Sequence, residues 1–281
     1  MPPPLEFLGE WGVKGNDPGQ IYSPHDIAAD FAGRVYIVNG HNTLDSIDKF
    51  DPRGTPLMSF TDKIFDNILA LAVDRGGAIY TTNYTRNLVL IFFPDGSPLR
   101  NIRGGPGLRF RGPRFLAVDN DGNLFVDDSE SFRIQKFDAK GRFRKAWGKK
   151  GLGDGEFLSI GGLAVGPDGH VYVADGTRIQ KFTSEGALLA VFSAKDSSGF
   201  PVGSLDGLAV STRFIISADP IRHQILAWTM DGHLIHQENL EGRLNNPGGY
   251  GTPRRVALTP NGELFTLDPT RYRVLRFRIN F

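Results

Sequence analysis

A short apolar strand with an alanine at a fixed place recurs six times along this chain. It reads Ile27-Ala28-Ala29, Leu71-Ala72-Val73, Leu116-Ala117-Val118, Leu163-Ala164-Val165, Leu208-Ala209-Val210 and Val256-Ala257-Leu258. Successive alanines stand 44, 45, 47, 45 and 48 residues apart. A period of roughly 40–50 residues is one supersecondary unit, too small to bury its own apolar face, so neighbouring units must stack.

Each unit repeats the same order. A polar turn, usually with glycine (Gly33, Gly77, Gly122, Gly169, Gly262), leads to a second strand such as Val35-Tyr36-Ile37 or Val171-Tyr172-Val173. That strand ends in an acid or amide. A third strand then closes on an aromatic, Phe50, Phe92, Phe137, Phe182, Trp228 and Phe277 in turn. In the first five units a glycine follows four residues later, at the place of a tight hairpin. A fourth strand such as Phe143 to Trp147 leads outward. Four short antiparallel strands per unit make a propeller blade. Near the axis only a small side chain such as alanine fits, while the aromatics fill the space where blades diverge.

The chain ends give an independent test. After Phe277 only Arg278 to Phe281 remain, too few for a fourth strand. Leu5 to Gly12 resembles the fourth strand of the third unit, Phe143 to Gly148, and both run into a Gly-rich loop. The reading is an all-β, six-bladed β-propeller of four-stranded antiparallel blades. Its ring is closed by the N-terminal strand joining the last blade, which removes an exposed sheet edge. We expect one domain over residues 1–281, with blades starting near 24, 68, 113, 160, 205 and 253 and residues 5–12 completing the last.

Composition narrows the chemistry. With 32 Lys+Arg against 31 Asp+Glu the formal net charge is +1, so no global field drives the chain onto nucleic acid or an acidic membrane. Cysteine is absent, which excludes disulfides, thiolate catalysis and cysteine-bound zinc. No apolar run approaches the roughly 18 residues of a membrane helix, and Met1-Pro2-Pro3-Pro4 lacks the features of a signal peptide. We therefore expect a soluble chain, monomeric by itself and without membrane insertion. The compartment stays open, as does excision from a larger protein.

The segments Gly169-His170-Val171-Tyr172-Val173-Ala174-Asp175, Arg178-Ile179-Gln180-Lys181-Phe182 and Arg133-Ile134-Gln135-Lys136-Phe137-Asp138 resemble NHL repeats. The resemblance extends over essentially the whole chain and implies a six-bladed propeller. It implies no single activity, because fold does not determine function. NHL propellers include protein-interaction modules, single-stranded RNA binders, ligand sensors on bacterial receptors and a zinc-dependent lyase that cleaves peptidyl-hydroxyglycine.

Two positions per blade are expected to face the mouth of the channel. The first lies three residues before the repeated alanine: His25, Leu69, Arg114, Gly161, Asp206 and Arg254. The second follows the second strand: Asn39, Asn83, Asp128, Asp175, Asp219 and Asp268. In the lyase three histidines from three blades hold zinc, leaving an open position. His25 matches one such place and no other first-ring residue is histidine; His41, His170, His223, His233 and His236 fall elsewhere. A calcium-dependent lactonase arrangement would need Asp206, Asn39, Asn83 and Asp128 to converge, and His25 stands where that family has a glutamate. Arg133, Arg178 and Arg273 recur in step with Asp128, Asp175 and Asp268, a pattern expected to staple loops. Arg100, Arg103, Arg109, Arg111, Arg114, Lys149, Lys150, Arg254 and Arg255 are the basis of an RNA reading.

We read a non-catalytic propeller that engages a protein partner through loops at one end of the channel. The contact candidates are His25, Arg114, Asp206, Arg254, Asn39 and Asp128. No cofactor is expected, a divalent calcium or zinc being the alternative within a metal-dependent lyase or lactonase. A small molecule or single-stranded RNA is the remaining partner class.

Overall fold

The computed structural model describes residues 4–40, 44–193, 195, 199, 202–240 and 252–280. His41 lies outside them. Six four-stranded antiparallel sheets are arranged in a ring, each ordered from its innermost to its outermost strand. The innermost strands are Pro24–Ala29, Ile68–Val73, Pro113–Val118, Ile160–Val165, Asp206–Val210 and Val256–Leu258. A two-stranded pair, Gly104–Gly105 with Leu108–Arg109, is inserted before the third blade.

Middle strands such as Val35–Asn39, Ile79–Asn83 and Leu88–Phe92 are buried at every residue. Both of their faces pack on neighbouring blades, so they lack the alternation of a sheet with one wet face. Outer strands such as Pro56–Phe60 are half exposed. Among the described residues six apolar clusters form, one at each blade–blade interface. The core is therefore a ring of seams rather than one central mass.

The sixth sheet is completed from the other end of the chain. Leu5–Trp11 pairs antiparallel with Arg273–Ile279, setting Leu5 opposite Ile279 and Trp11 opposite Val274, with an irregularity between Phe7 and Gly9. Arg273 donates from Nη1 to both carboxylate oxygens of Glu10 at 2.7 Å. Trp11 packs on Phe50 of the first blade, ring centroids 4.8 Å apart. A Cβ on Gly54 would lie 2.4 Å from that indole. The hairpin glycine thus both turns the chain and admits the preceding blade's outer aromatic. Gly186 and Trp147 repeat the arrangement three blades on.

Antiparallel blades sort the loops onto two faces. Connections between blades share one face with the turns joining second and third strands, and backbone bonds tie the two, as Gly176 N to Ser159 O does. We call this the connector face, and the opposite one the hairpin face.

Removing residues 1–12 strips the last blade of its outer strand and exposes the Arg273–Ile279 edge. We expect Tm to fall by about 10 °C or more, at roughly 3 °C per kcal/mol for a chain of this size, with aggregation on heating. Differential scanning calorimetry of the truncated chain measures this.

Candidate functional site

On the connector face, the residue ending each second strand holds the incoming loop. Asp128 is fully buried. Its Oδ1 accepts from the Arg111 amide at 2.5 Å, and its Oδ2 accepts from Arg133 Nε at 2.7 Å and Gln135 Nε2 at 2.9 Å. Asn39, 1% exposed, accepts from the Tyr22 amide at 2.7 Å and donates to Gln20 O at 2.8 Å. Asp175 accepts from the Leu158 and Ser159 amides, while Arg178 donates to the carbonyls of Leu152 and Glu156. The expectation that this column faces the channel mouth is therefore corrected. Asn39 and Asp128 turn onto loop backbone, because an acceptor at a strand end satisfies amides that the ladder leaves free. Asn83 does likewise, accepting from the Arg86 amide and donating to Ile64 O. These three side chains are taken up by their own loops, whereas Asp206 bonds to Arg255.

In the first ring, Asp206 is drawn toward two neighbouring arginines. Arg254 is half exposed, its Nε 3.7 Å from Asp206. Its neighbour Arg255 goes inward and spans the channel. Arg255 Nη1 donates to Asp206 Oδ1 and, at 3.4 Å, to Gly161 O; its Nε donates to His25 O at 3.2 Å. The guanidinium stands 4.6 Å from the Phe115 ring and its Nε 3.7 Å from Asp26 Oδ1. Asp26 in turn accepts from the Leu71 amide at 2.8 Å. Arg255 and Asp26 together touch all six blades. Gly207 makes this closeness possible: at φ +75° it lies where a Cβ would come within 3.0 Å of Arg255 Cα.

Burial shapes the acids and His25. Desolvation pushes Asp26 up to about 6, against the pull of Arg255 and the Leu71 amide. His25 is lowered, first by burial, with Arg255 adding to the effect and Asp45 opposing it. Asp45 is raised by burial. Asp127, fully buried one residue before the Asp128 clamp, is raised to about 8 by desolvation. Its Oδ2 accepts from Ser129 Oγ, and its Oδ1 has no partner. Arg114 is exposed on the same face, its guanidinium 5.9 Å from the Phe115 ring, as are Arg109 and Arg111. Arg111 is 3.8 Å from Glu130.

Against this geometry, residues 110–137 match the NHL repeat family. The propeller carries an NHL repeat in its third blade. Within this propeller, a stretch of 104 residues is 36% identical to a probable peptidyl-alpha-hydroxyglycine alpha-amidating lyase of Caenorhabditis elegans. That match covers 34% of the chain and 29% of the relative. Solved structures of similar shape include a streptogramin B lyase (TM-score 0.66, 12% identity, 97% of this chain and 98% of that one). A catalytically inactive virginiamycin B lyase of Staphylococcus aureus with quinupristin reaches a TM-score of 0.68 at 12% identity, over 98% and 100% of the two chains. The structure of U3-55K follows at 0.64 and 14%, over 92% and 76%. At such identities the likeness speaks for the fold alone.

Among the described residues of the propeller, no three or more His, Asp or Glu side chains are grouped to hold a metal ion. Among the described residues no helix is long and apolar enough to cross a membrane. The residue that sequence reasoning passed over is Arg255. Its signal lay one column inward of the first ring, where Asp26 and Arg255 are the charged members beside Ala70, Phe115, Gly162 and Gly207.

Two measurements check these assignments. Arg255→Ala strands two carboxylates and should cost about 3–5 kcal/mol, whereas Arg254→Ala should stay within about 0.5 kcal/mol; urea unfolding separates them. For Asp127 the folded-state pKa lies above the unfolded value. Its stabilising contribution is full below about pH 4 and declines as pH rises toward about 8. Asp127→Asn lacks this loss, so its Tm should match wild type near pH 4 and exceed it near pH 8, by about 1–3 kcal/mol when converted to stability.

Proposed function

We propose that this protein is a non-catalytic binding propeller that engages a protein partner through the loops of its connector face. The observation that carries this reading is a group of exposed aliphatic side chains on the connector-face loops. Val13, Leu152 and Ile221 are each about two-thirds exposed or more, and Leu158 and Leu44 are part-exposed at 47% and 37%. All five belong to connector-face loops or turns. Arg114 and Arg254 are exposed on the same face, and aliphatic anchors with arginines are what protein interfaces concentrate. The loops are firmly held, Leu152 O by Arg178 and the Val13 loop by the Ile21 amide bond to Val13 O, so docking would order little new chain.

The relative named as a lyase supports a second reading, a zinc-dependent lyase with His25 at the mouth. His25 supplies one nitrogen ligand, and the corresponding places hold Leu69, Arg114, Gly161, Asp206 and Arg254.

One experiment addresses both. The full chain, its Val13→Asp/Leu152→Asp variant and a hairpin-face Phe31→Ser/Phe93→Ser variant are used to capture partners from the native source, with zinc measured on the same samples. The connector-face variant should lose its partner by about tenfold or more while the hairpin-face variant keeps it. Capture indifferent to the connector-face change, or stoichiometric zinc lost in His25→Ala, would reject the binding reading in favour of the second.

A further inference from the structure

Charge is spread unevenly along this chain. Residues 98–150 hold 13 Lys and Arg against six Asp and Glu, whereas the rest of the chain holds 19 against 25. The near-zero net charge therefore conceals a basic third blade. A cleft of about 460 Å³ opens at its outer rim, next to the outermost strand of the second blade, within the size range of small-molecule sites. Arg103, Arg109, Phe137 and Phe143 line it, and no acid does.

The inserted pair Gly104–Gly105 and Leu108–Arg109 builds one wall. Gln135 holds that pair on the blade: its Oε1 accepts from the Gly105 amide at 2.9 Å, and its Nε2 donates to Leu108 O at 2.8 Å. A Cβ on Gly105 would lie 2.5 Å from the Phe143 ring, so glycine lets the insertion close on that ring. Phe143 and Phe137, with centroids 5.8 Å apart, form an aromatic floor.

The cations of the cleft have no counter-charge. Among the described residues no Asp or Glu forms an ion pair with Arg103 or Arg109. The carboxylates close to them in sequence are held elsewhere, Asp138 by Arg142 and Arg144, Asp128 by Arg133, and Glu130 beside Arg111. Arg100 adds a further guanidinium, its Nη1 3.5 Å from where a Cβ on Gly141 would stand. Guanidinium forks match phosphate oxygens, and a doubly charged anion relieves the repulsion between them.

We propose that this cleft binds a phosphate monoester of a flat aromatic group, its dianion held by Arg103 and Arg109 and its ring laid against Phe137 and Phe143. Ring-to-ring contact favours the aryl ester over the bare ion. None of the exposed aliphatic side chains of the connector-face loops lines this cleft, so the site does not rest on partner docking.

The test titrates phenyl phosphate, inorganic phosphate and benzyl alcohol into the full chain by calorimetry at about pH 8, above the second phosphate pKa of roughly 6. Phenyl phosphate should bind at least about tenfold tighter than either of the others. Arg103→Gln/Arg109→Gln should weaken it about tenfold or more, whereas Lys149→Gln/Lys150→Gln, which removes the same charge outside the cleft, should cost less than about threefold. All four side chains are exposed, so both variants should fold. No heat from phenyl phosphate, an affinity equal to that of either other probe, or equal losses in the two variants would overturn the proposal. A capped glycine–phosphotyrosine–glycine peptide separates two sources of the ester. Binding no weaker than that of phenyl phosphate assigns the site to a phosphorylated segment of a protein, and weaker binding assigns it to a free small molecule. The Val13→Asp/Leu152→Asp variant should bind phenyl phosphate unchanged, so failure here and failure of partner docking are told apart.

Discussion

The antiparallel pairing of Leu5–Trp11 with Arg273–Ile279 is the bond on which the rest of this molecule depends. A blade has no core of its own, since its middle strands are buried by the blades on either side. Each of the six apolar seams needs both neighbours, and the seam between the sixth blade and the first exists because the chain's two ends meet. Trp11 on Phe50 and Arg273 on Glu10 tie that meeting in both directions.

Closing a ring of six inner strands creates a second problem at the axis, where backbones converge but cannot pair. The molecule handles it with one long cation. Arg255 reaches residues of the first, third, fourth and fifth blades, and Asp26 extends the link to the second. Arginine suits this place because its planar fork offers donors in several fixed directions and stacks on an aromatic ring. The bridge also divides the channel. On one side lies a shallow mouth among loops with bare aliphatic tips; on the other lies a deep pocket walled by small side chains. Both are held on one frame of six blades.

The column of acids and amides ending the second strands shows how a structural demand can look like a site. Six polar residues at one place in a repeat suggest a convergent ring. Asp128 and Asp175 instead gather loop amides, and Arg133 and Arg178 reach from the next strand to loop carbonyls. The recurring Asp/Arg pair was legible as a staple from its spacing. What it staples, the incoming connection of the same blade, became visible only with the loops in place.

Blade number, strand order and ring closure were all present in the sequence by itself. Each follows from spacing that repeats with a period of about one blade, and from a missing strand at one end matched by a spare one at the other. Counting from the repeated alanine also singled out His25, Arg114, Asp206 and Arg254 as contact candidates. The tertiary structure alone decided which of two adjacent arginines turns to the axis. In a strand, neighbouring side chains point to opposite sides, so a one-residue difference in register exchanges their roles. Arg255 meets partners 49, 94 and 230 residues away, and no local pattern carries the geometry of contacts that form only when the ring has closed.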